Sequence, residues 1–413
     1  MRLLIDEMNN KNKLKRSLSL PMITFFGLGN IMGAGIYVLV GKVAGEAGYF
    51  APLAFFVASI VAAISAFSYA ELSARYPVSA GEAVYLHEGL NVRVLTIGVG
   101  LLITIAGMVS TSALVHGFVG YLSVFVDWPN WLTIVSVVLI LGTVAIWGIG
   151  VSVMVAAIFT IIELIGLLII VVLGGDYIAD TNLQLSSNAF SLSTISWAGV
   201  FSAAFLAFYA YLGFEDMVNV AEEVKQPEKN MPRAILIAVV VSTLLYAGVS
   251  TVAVMVIEPQ QLAVSKAPLA DVYQKITSEK PVLLTVIGLF AVINGALIQI
   301  IMASRLLYGM SKNAWLPRFL SHVNPKTNTP IASTLVVIFI VLVLSLLFHL
   351  VTLAQITSYI VLSVFALVNL SLIKIKVKDP QPENVRVYSK WIPVMGFLTA
   401  FLFIMIEINN QLF

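Results

Sequence analysis

Long apolar segments alternate with short polar loops along nearly the whole chain. A helix needs roughly 20 apolar residues to cross about 30 Å of hydrocarbon. Eleven segments reach or approach that length: 20–43, 49–75, 92–123, 131–149, 151–174, 197–219, 233–258, 281–311, 331–350, 353–375 and 392–412. The loops between them are too short to form a soluble domain with its own core. The pattern therefore predicts an all-α membrane protein with about eleven transmembrane helices.

Composition supports the same class of protein. Of 413 residues, 60% are hydrophobic and 11% are charged, and the mean hydropathy is +0.99. Soluble domains carry about 25% charged residues, so lipid must cover much of this surface. The chain contains no cysteine, which excludes a disulfide-linked subunit and a thiolate metal site.

Lysine and arginine are distributed unequally between the two sets of loops. With the N-terminus inside, 18 basic residues fall in cytoplasmic segments and 4 fall outside, while Arg305 lies within a span. Positive charge concentrates on the cytoplasmic side of membrane proteins. We therefore expect a multi-pass protein of the plasma or inner membrane with a cytoplasmic N-terminus.

Two spans carry glycine-rich interruptions. Span one contains the run GNIMGAGI at 29–36, and span six contains YAYLGFED at 209–216. Gly29 and Gly33 have the spacing of small residues that pack helices together, so span one alone leaves packing and a break equally open. In lipid, a broken helix survives only where it lines a cavity or is buried in protein. Matching breaks in two halves of five spans are typical of secondary transporters with inverted repeats.

The chemistry of such breaks points to a class of ligand. Free amides at a half-helix N-terminus attract a carboxylate, and free carbonyls attract an ammonium group. An α-amino acid supplies both groups. The predicted organisation is a cytoplasmic tail at 1–18, a transporter core at 19–376 with repeats at about 19–174 and 197–376, and a loop with a final helix at 377–413.

Four stretches in order along the chain resemble the amino acid–polyamine–organocation transporter superfamily. They are GNIMGAGI at 29–36, YAELSARYP at 69–77 with GEAVY at 81–85, YLGFE at 211–215 with AEEV at 221–224 and PEKNMPRAI at 227–235, and SRLLYGM at 304–310 with WLP at 315–317. The resemblance covers roughly residues 15–375. It implies a LeuT-type fold of five plus five spans with discontinuous helices one and six. Many members have two further spans, whereas this chain has one.

The resemblance also implies a substrate site, carried over position by position. The substrate carboxylate would meet the amides of Gly33, Ala34 and Gly35. The substrate amine would meet carbonyls near Asn30 and Ile31 in span one and near Phe208 and Tyr209 in span six. Tyr209 aligns with an aromatic residue that closes over the substrate, and Ala210, Leu212 and Gly213 would line the side-chain pocket. The residues alone, without the resemblance, favour ordinary packing for Tyr209.

Carboxylates inside spans mark functional hypotheses because charge is costly in lipid. Glu163 lies in the middle of span five, at or close to the position where some proton-coupled relatives place a lysine. It could carry a proton, attract a cationic substrate or hydrogen-bond to a neighbouring helix. Glu215 and Asp216 fit either a gating pair or an interfacial cap, and Ser304 fits an ion site only weakly.

The sequence lacks the motifs that are typical of several other classes of protein. The chain has no Walker-type loop, no His-Glu-x-x-His and no Gly-x-Ser-x-Gly, so ATP-driven transport, a metal centre and hydrolase chemistry are not expected. We expect no cofactor, no nucleic-acid partner and a monomer or homodimer. The leading hypothesis is a secondary transporter of amino acids, coupled to H⁺ or else to Na⁺, or an exchanger. A polyamine transporter and a non-transporting sensor remain the alternatives.

Overall fold

The structure is a computed structural model that describes residues 16–33, 35–78, 81–147, 153–180, 195–312, 315–325, 327, 329–383 and 385–412. Within these ranges the chain is helical and forms no β-strand, and its one regular β contact is an isolated bridge between Leu18 and Val224. The predicted all-α class is confirmed. Ala34 and most of the predicted tail at 1–18 lie outside the described residues.

Fifteen α-helices follow one another in the described ranges. They are α1 Leu20–Met32, α2 Gly35–Ala47, α3 Ala51–Arg75, α4 Gly81–Leu90, α5 Arg93–Leu122, α6 Asn130–Trp147, α7 Val153–Asp180, α8 Trp197–Phe208, α9 Pro227–Val256, α10 Pro259–Val264, α11 Pro268–Thr277, α12 Val282–Lys312, α13 Ile331–Leu347, α14 Leu350–Lys378 and α15 Trp391–Leu412. Short 3₁₀ turns at Tyr209–Tyr211 and Glu215–Glu223 continue α8.

Each predicted span corresponds to one of these helices, except that span one comprises both α1 and α2. Nine stretches of the described chain are long and apolar enough to cross a membrane, and the first, Leu20–Arg75, holds spans one and two together. Counting that stretch as two and adding the shorter apolar helix Ile331–Leu347 gives eleven. Helices α4, α10 and α11 lie in the loops between spans.

Helices at equivalent places in the two halves pack on each other. The most extensive contacts join α3 to α9 and α5 to α12, which are spans two with seven and three with eight. Span one also contacts span six, and span four contacts span nine. Pairing of span n with span n+5 is the arrangement that a five-plus-five repeat produces around its axis. It brings the interrupted spans one and six to the centre of the molecule.

The outer surface is suited to lipid. Large apolar side chains such as Leu244, Phe339 and Leu347 are mostly exposed although they lie in long helices. Exposed tryptophans lie at or next to the ends of spans, and they are Trp128, Trp131, Trp147, Trp197 and Trp391. Tryptophan concentrates at membrane–water interfaces, so this distribution supports a membrane setting.

A buried ion-pair cluster fixes the ends of α3 and α14 on the predicted cytoplasmic side. Glu71 is fully buried and lies 2.9 Å from Arg75 and 2.7 Å from Lys376. Its second oxygen also accepts the backbone N–H of Tyr388 at 2.9 Å. Arg75 also pairs with Asp379 at 3.3 Å, so the two cations face two carboxylates. Such compensation is the condition for burying the charge of Glu71. The Glu71–Arg75 pair is therefore a structural link at the end of α3.

Candidate functional site

Span one is interrupted in its middle. Helix α1 ends at Met32, α2 begins at Gly35, and Gly33 forms a turn between them. The N–H of Gly33 donates to the carbonyl of Gly29 at 2.9 Å, so this amide belongs to the hydrogen bonding of α1 in the present conformation. The predicted discontinuity is confirmed, while the contact of the Gly33 amide with a substrate carboxylate stays a prediction.

Span six is interrupted more strongly. Helix α8 ends at Phe208, Leu212 is extended, and Gly213 has a φ of +122°, which side-chain-bearing residues rarely adopt. The N–H of Gly213 donates to Oε2 of Glu215 at 2.8 Å. Glu215 therefore satisfies a backbone donor that the broken helix leaves without an intrahelical acceptor.

The two breaks touch each other through glycines. A Cβ added to Gly35 would lie 2.2 Å from Cα of Ala210, and a Cβ added to Gly213 would lie 2.6 Å from the carbonyl carbon of Asn30. Contacts shorter than 3.0 Å are not tolerated by real Cβ atoms. The sequence thus needs glycine at both positions so that the unwound backbones can lie against each other.

Tyr246 of α9 joins the two breaks. Its hydroxyl lies 2.8 Å from the carbonyl of Ile31 and 2.9 Å from the carbonyl of Ala210, and the side chain is fully buried. One hydroxyl proton is thus shared between two carbonyls that the broken helices leave available. Sequence reasoning missed this residue, because a single tyrosine in an apolar span looks like ordinary core.

We expect Tyr246→Phe to weaken both folding and substrate binding. Two buried carbonyls would lose their donor, at a cost of about 1–3 kcal/mol. Substrate affinity measured in detergent should fall about tenfold if some 1.4 kcal/mol acts on the bound geometry. Tyr121→Phe is the matched control, since the Tyr121 hydroxyl donates at 2.8 Å to the carbonyl of Tyr37 within α2. Equal affinity in both variants would remove Tyr246 from the site.

A central pocket lies where the breaks meet α5 and α12. Its total empty space, open solvent included, is about 410 Å³. Five predicted substrate residues line it, namely Asn30, Ile31, Gly35, Tyr209 and Leu212. Ser110, Leu114, Gly295, Ile298 and Gln299 complete the wall.

Two polar groups of residues that line the central pocket differ in whether they already have a partner. The side-chain nitrogen of Asn30 is buried and has no hydrogen-bond partner among the described residues. The Tyr209 hydroxyl lies 3.0 Å from Oγ of Ser110 and so crosses from span six to span three. An unmatched buried donor is costly unless something accepts from it, which a substrate carboxylate would do.

The remaining predicted substrate residues lie beside the central pocket instead of lining it. Phe208 packs its ring against Phe365 and Phe403. Ala210 contributes its carbonyl to Tyr246, and Gly213 abuts Asn30. These residues shape the breaks, and their direct contact with a substrate stays a prediction.

Glu163 of α7 is fully buried beside the break of span one. A Cβ on Gly33 would lie 3.9 Å from Oε2 of Glu163, and in the described part of the chain this oxygen has no hydrogen-bond partner. Its other oxygen is 3.4 Å from Nδ2 of Asn294 in α12, a long contact. Glu163 does not line the central pocket. It therefore faces the break of span one from the side opposite the pocket.

A second cavity, the acidic cavity, adjoins the central pocket. It has an empty volume of about 530 Å³ and shares Ser110, Leu212 and Gln299 with the central pocket. Glu82, Glu215 and Asp216 also line it. Nε2 of Gln299 donates to Oδ2 of Asp216 at 2.9 Å, joining span eight to span six.

Glu82 lies outside the spans, on α4, and is 2% exposed. Burial raises the pKa of its carboxyl from an ordinary 4.5 to about 8, its own backbone N–H lowers that pKa, and the charge of Asp216 raises it. Sequence reasoning placed Glu82 only within a family motif. Its position in a loop helix gave no indication that it reaches a cavity between spans.

Glu82 should make the folded protein less stable as pH rises. The unfolded chain releases the proton near pH 4.5 and the folded chain near pH 8, so stability falls between these values by up to about 1.4 kcal/mol per pH unit. Glu82→Gln should flatten this slope in thermal unfolding from pH 5 to 8. Glu88→Gln, an exposed carboxyl on the same helix, is the control. An unchanged slope in Glu82→Gln would contradict the assignment.

Ser304 does not join these groups. Its hydroxyl donates to the carbonyl of Ile301 at 2.8 Å within α12, and it lines neither cavity. Its predicted part in an ion site stays a prediction that this geometry does not favour. Ser110 and Gln299, by contrast, reach both cavities, and only the polar Gln299 within an apolar stretch gave a signal in the sequence.

Comparison with known proteins gives a consistent result. A branched-chain amino acid permease of Bacillus subtilis is 28% identical over 401 residues, covering 91% of this chain and 84% of that protein. A methylthioribose transporter of the same organism is 25% identical over 418 residues, covering 96% and 88%. The vacuolar cationic amino acid transporter 4 of Arabidopsis thaliana is 29% identical over 352 residues, covering 79% and 57%.

These names are of permeases and transporters and not of enzymes. A family model described as amino acid permease matches residues 18–411, which is nearly all of the chain. The chain therefore belongs to the amino acid permease family of the amino acid–polyamine–organocation superfamily.

Proposed function

We propose that the protein is a secondary active transporter that moves amino acids across the cytoplasmic membrane by alternating access. The observation that carries this proposal is the contact of two broken helices beside a central pocket, which is lined by both breaks and by Asn30, whose buried side-chain nitrogen has no partner among the described residues. A carboxylate and an amine on one carbon suit the amides and carbonyls at such breaks.

The hydrogen bonds support a division into two moving parts. Within the first part, Tyr246 ties spans one, six and seven, and the Tyr211 hydroxyl donates at 3.1 Å to the carbonyl of Phe55 in span two. Between the parts, Tyr209 meets Ser110 and Asp216 meets Gln299. Spans 1, 2, 6 and 7 would rock as one body against spans 3, 4, 8 and 9, and the second set of bonds would break and re-form.

The driving ion is part of the same proposal. Glu163 lies beside the break of span one and keeps one oxygen without a described partner, which suits a carboxyl that takes up and releases a proton. We favour H⁺ coupling, with Na⁺ coupling and amino acid exchange as the alternatives. A polyamine or cationic amine transporter is the second candidate function, supported by the carboxyl groups of the acidic cavity.

Flux in proteoliposomes tests the proposal. Purified protein should take up at least one labelled amino acid from a panel, and an imposed proton gradient should drive accumulation that a sodium gradient does not. Binding without flux would indicate a sensor. Uptake of polyamines with no uptake or binding of any amino acid would overturn the proposal in favour of the second candidate.

A further inference from the structure

The acidic cavity is lined by three carboxyl groups that pair with no cation of the described residues. Glu82 is 2% exposed and Asp216 is 6% exposed, while Glu215 is partly buried. No lysine or arginine lines the cavity, and the ion pairs formed by described residues involve none of these three carboxyls. Buried carboxylates persist only when they are neutralised by a proton or paired with a cation.

An independent feature of the same cavity also points to a ligand. Tyr69 of α3 is fully buried and lines the acidic cavity, yet its hydroxyl has no hydrogen-bond partner among the described residues. Its ring is fixed edge-on against Phe214 at 5.6 Å and is tilted against Phe365 at 5.2 Å, so packing does not leave the hydroxyl free to turn elsewhere. A buried hydroxyl beside carboxyls is ready to accept a hydrogen bond from a cationic group.

The three carboxyl groups of the acidic cavity differ in their hydrogen bonds. Glu215 accepts the N–H of Gly213 and so holds the break of span six. Gln299 fixes one oxygen of Asp216. Asp216 and Glu82 therefore remain as the acidic groups that can pair with a guest.

The cavity suits an organic cation better than a metal ion. In the described ranges, no group of three or more His, Cys, Asp or Glu side chains could hold a metal. An ammonium or guanidinium group needs fewer and looser contacts, because it donates several hydrogen bonds to oxygens at about 2.7–2.9 Å. Apolar neighbours such as Ile103 and Leu306 would contact the methylene groups that carry the cation.

The acidic cavity adjoins the central pocket. Ser110, Leu212 and Gln299 line both cavities, so a substrate held at the breaks by its α-carboxylate and α-amine would extend its side chain between these residues. The end of that side chain would then reach Asp216 and Glu82.

We propose that the acidic cavity selects amino acids whose side chain ends in an ammonium or guanidinium group, with Asp216 and Glu82 as its acceptors and Tyr69 as a third polar contact. This inference rests on the proposed function, because it requires the α-amino and α-carboxyl groups to be bound in the central pocket. It assigns Asp216 and Glu82 as residues that determine specificity.

Near-isosteric pairs of amino acids test the proposal in the full-length protein in lipid nanodiscs. Lysine and norleucine differ in the terminal ammonium, and arginine and citrulline differ in the charge of the terminal group. The intact protein should bind lysine and arginine at least tenfold more tightly than norleucine and citrulline. In Asp216→Asn and in Glu82→Gln, the ratio of lysine to norleucine affinity should fall towards one. Glu258→Gln, an exposed carboxylate before α10, should keep the ratio of the unmodified protein.

Each outcome decides between named possibilities. Equal binding of the charged and neutral members of both pairs would overturn this inference and leave the proposed function intact. A fall of both affinities by the same factor in the variants would assign Asp216 and Glu82 to folding or gating and would also overturn it. If no amino acid of any side chain binds, the proposed function itself fails. If either variant does not fold, the affinities of the unmodified protein for the charged and neutral amino acids still test the inference.

Discussion

Replacing Gly35 with alanine is expected to abolish substrate binding. The new Cβ would lie 2.2 Å from Cα and 2.5 Å from Cβ of Ala210, so the backbones of the two breaks would have to separate. No rotation of a side chain relieves a clash with main-chain atoms. The amide at the start of α2 would then move away from the pocket that it lines, and we expect a loss of at least about 100-fold in affinity, or about 2.8 kcal/mol.

Gly98→Ala provides the matched control for this variant. A Cβ at Gly98 in α5 meets nothing within 4 Å, and alanine is favoured over glycine in a helix by about 1 kcal/mol. The control should bind normally and unfold at the same or a higher temperature. Binding of normal strength by Gly35→Ala, with a melting temperature like that of Gly98→Ala, would contradict the contact between the breaks.

The second large effect is expected at Glu163. If its carboxyl carries the coupled proton, Glu163→Gln removes the proton-binding group while keeping the size of the side chain and a hydrogen-bonding group for Asn294. The variant should lose accumulation driven by a proton gradient and the pH dependence of uptake. It should retain exchange of labelled for unlabelled amino acid, since the pocket is lined by other residues.

Glu407→Gln separates this role from the general effect of removing a buried carboxyl. Glu407 of α15 is 1% exposed, and its Oε1 accepts from Gln411 at 3.0 Å and from Ser202 and Gln355 at 3.3 Å each. It lies in a separate polar cluster from the breaks. Uptake by Glu407→Gln should still follow the proton gradient. Gradient-driven accumulation by Glu163→Gln at the rate of the unmodified protein would remove Glu163 from coupling.

The helices and the two breaks could be predicted from the sequence because lipid imposes simple rules. A span must be long and apolar, which located all eleven segments to within a few residues at most ends. Two ends were misjudged by six residues: span five was predicted to end at 174, whereas α7 continues to Asp180, and span seven was predicted to start at 233, whereas α9 begins at Pro227. The break in span six was visible because glycine and two carboxyls interrupt an apolar run.

The partners across the site could not be predicted from the same pattern. Tyr246 meets a carbonyl 215 positions earlier in the chain, and Ser110 meets a tyrosine 99 positions later. The spacing of apolar residues along one helix shows which side of that helix is apolar. It does not show which neighbouring helix that side contacts. Glu82 was hidden for a related reason, because only the packing of α4 against spans three and ten brings its carboxyl to the acidic cavity.

The predicted amide contacts show a further limit of sequence reasoning. A family pattern identifies Gly33 and Gly35 as equivalent members of one loop, yet the Gly33 amide is bonded within α1 and Gly35 lines the pocket. How far a helix continues into a glycine-rich break depends on the backbone packed against it. Here that backbone is Ala210 of span six.

The most direct test of the central claim is a competition measurement with one amino acid and three altered forms of it. The amino acid taken up best in proteoliposomes is compared with its N-acetyl derivative, its methyl ester and the amine left after decarboxylation. Because the two breaks would bind both the carboxylate and the amine, each altered form should compete at least 100-fold more weakly than the parent amino acid. Competition by the decarboxylated amine at the strength of the parent amino acid would contradict the account, since the breaks would then not bind a carboxylate.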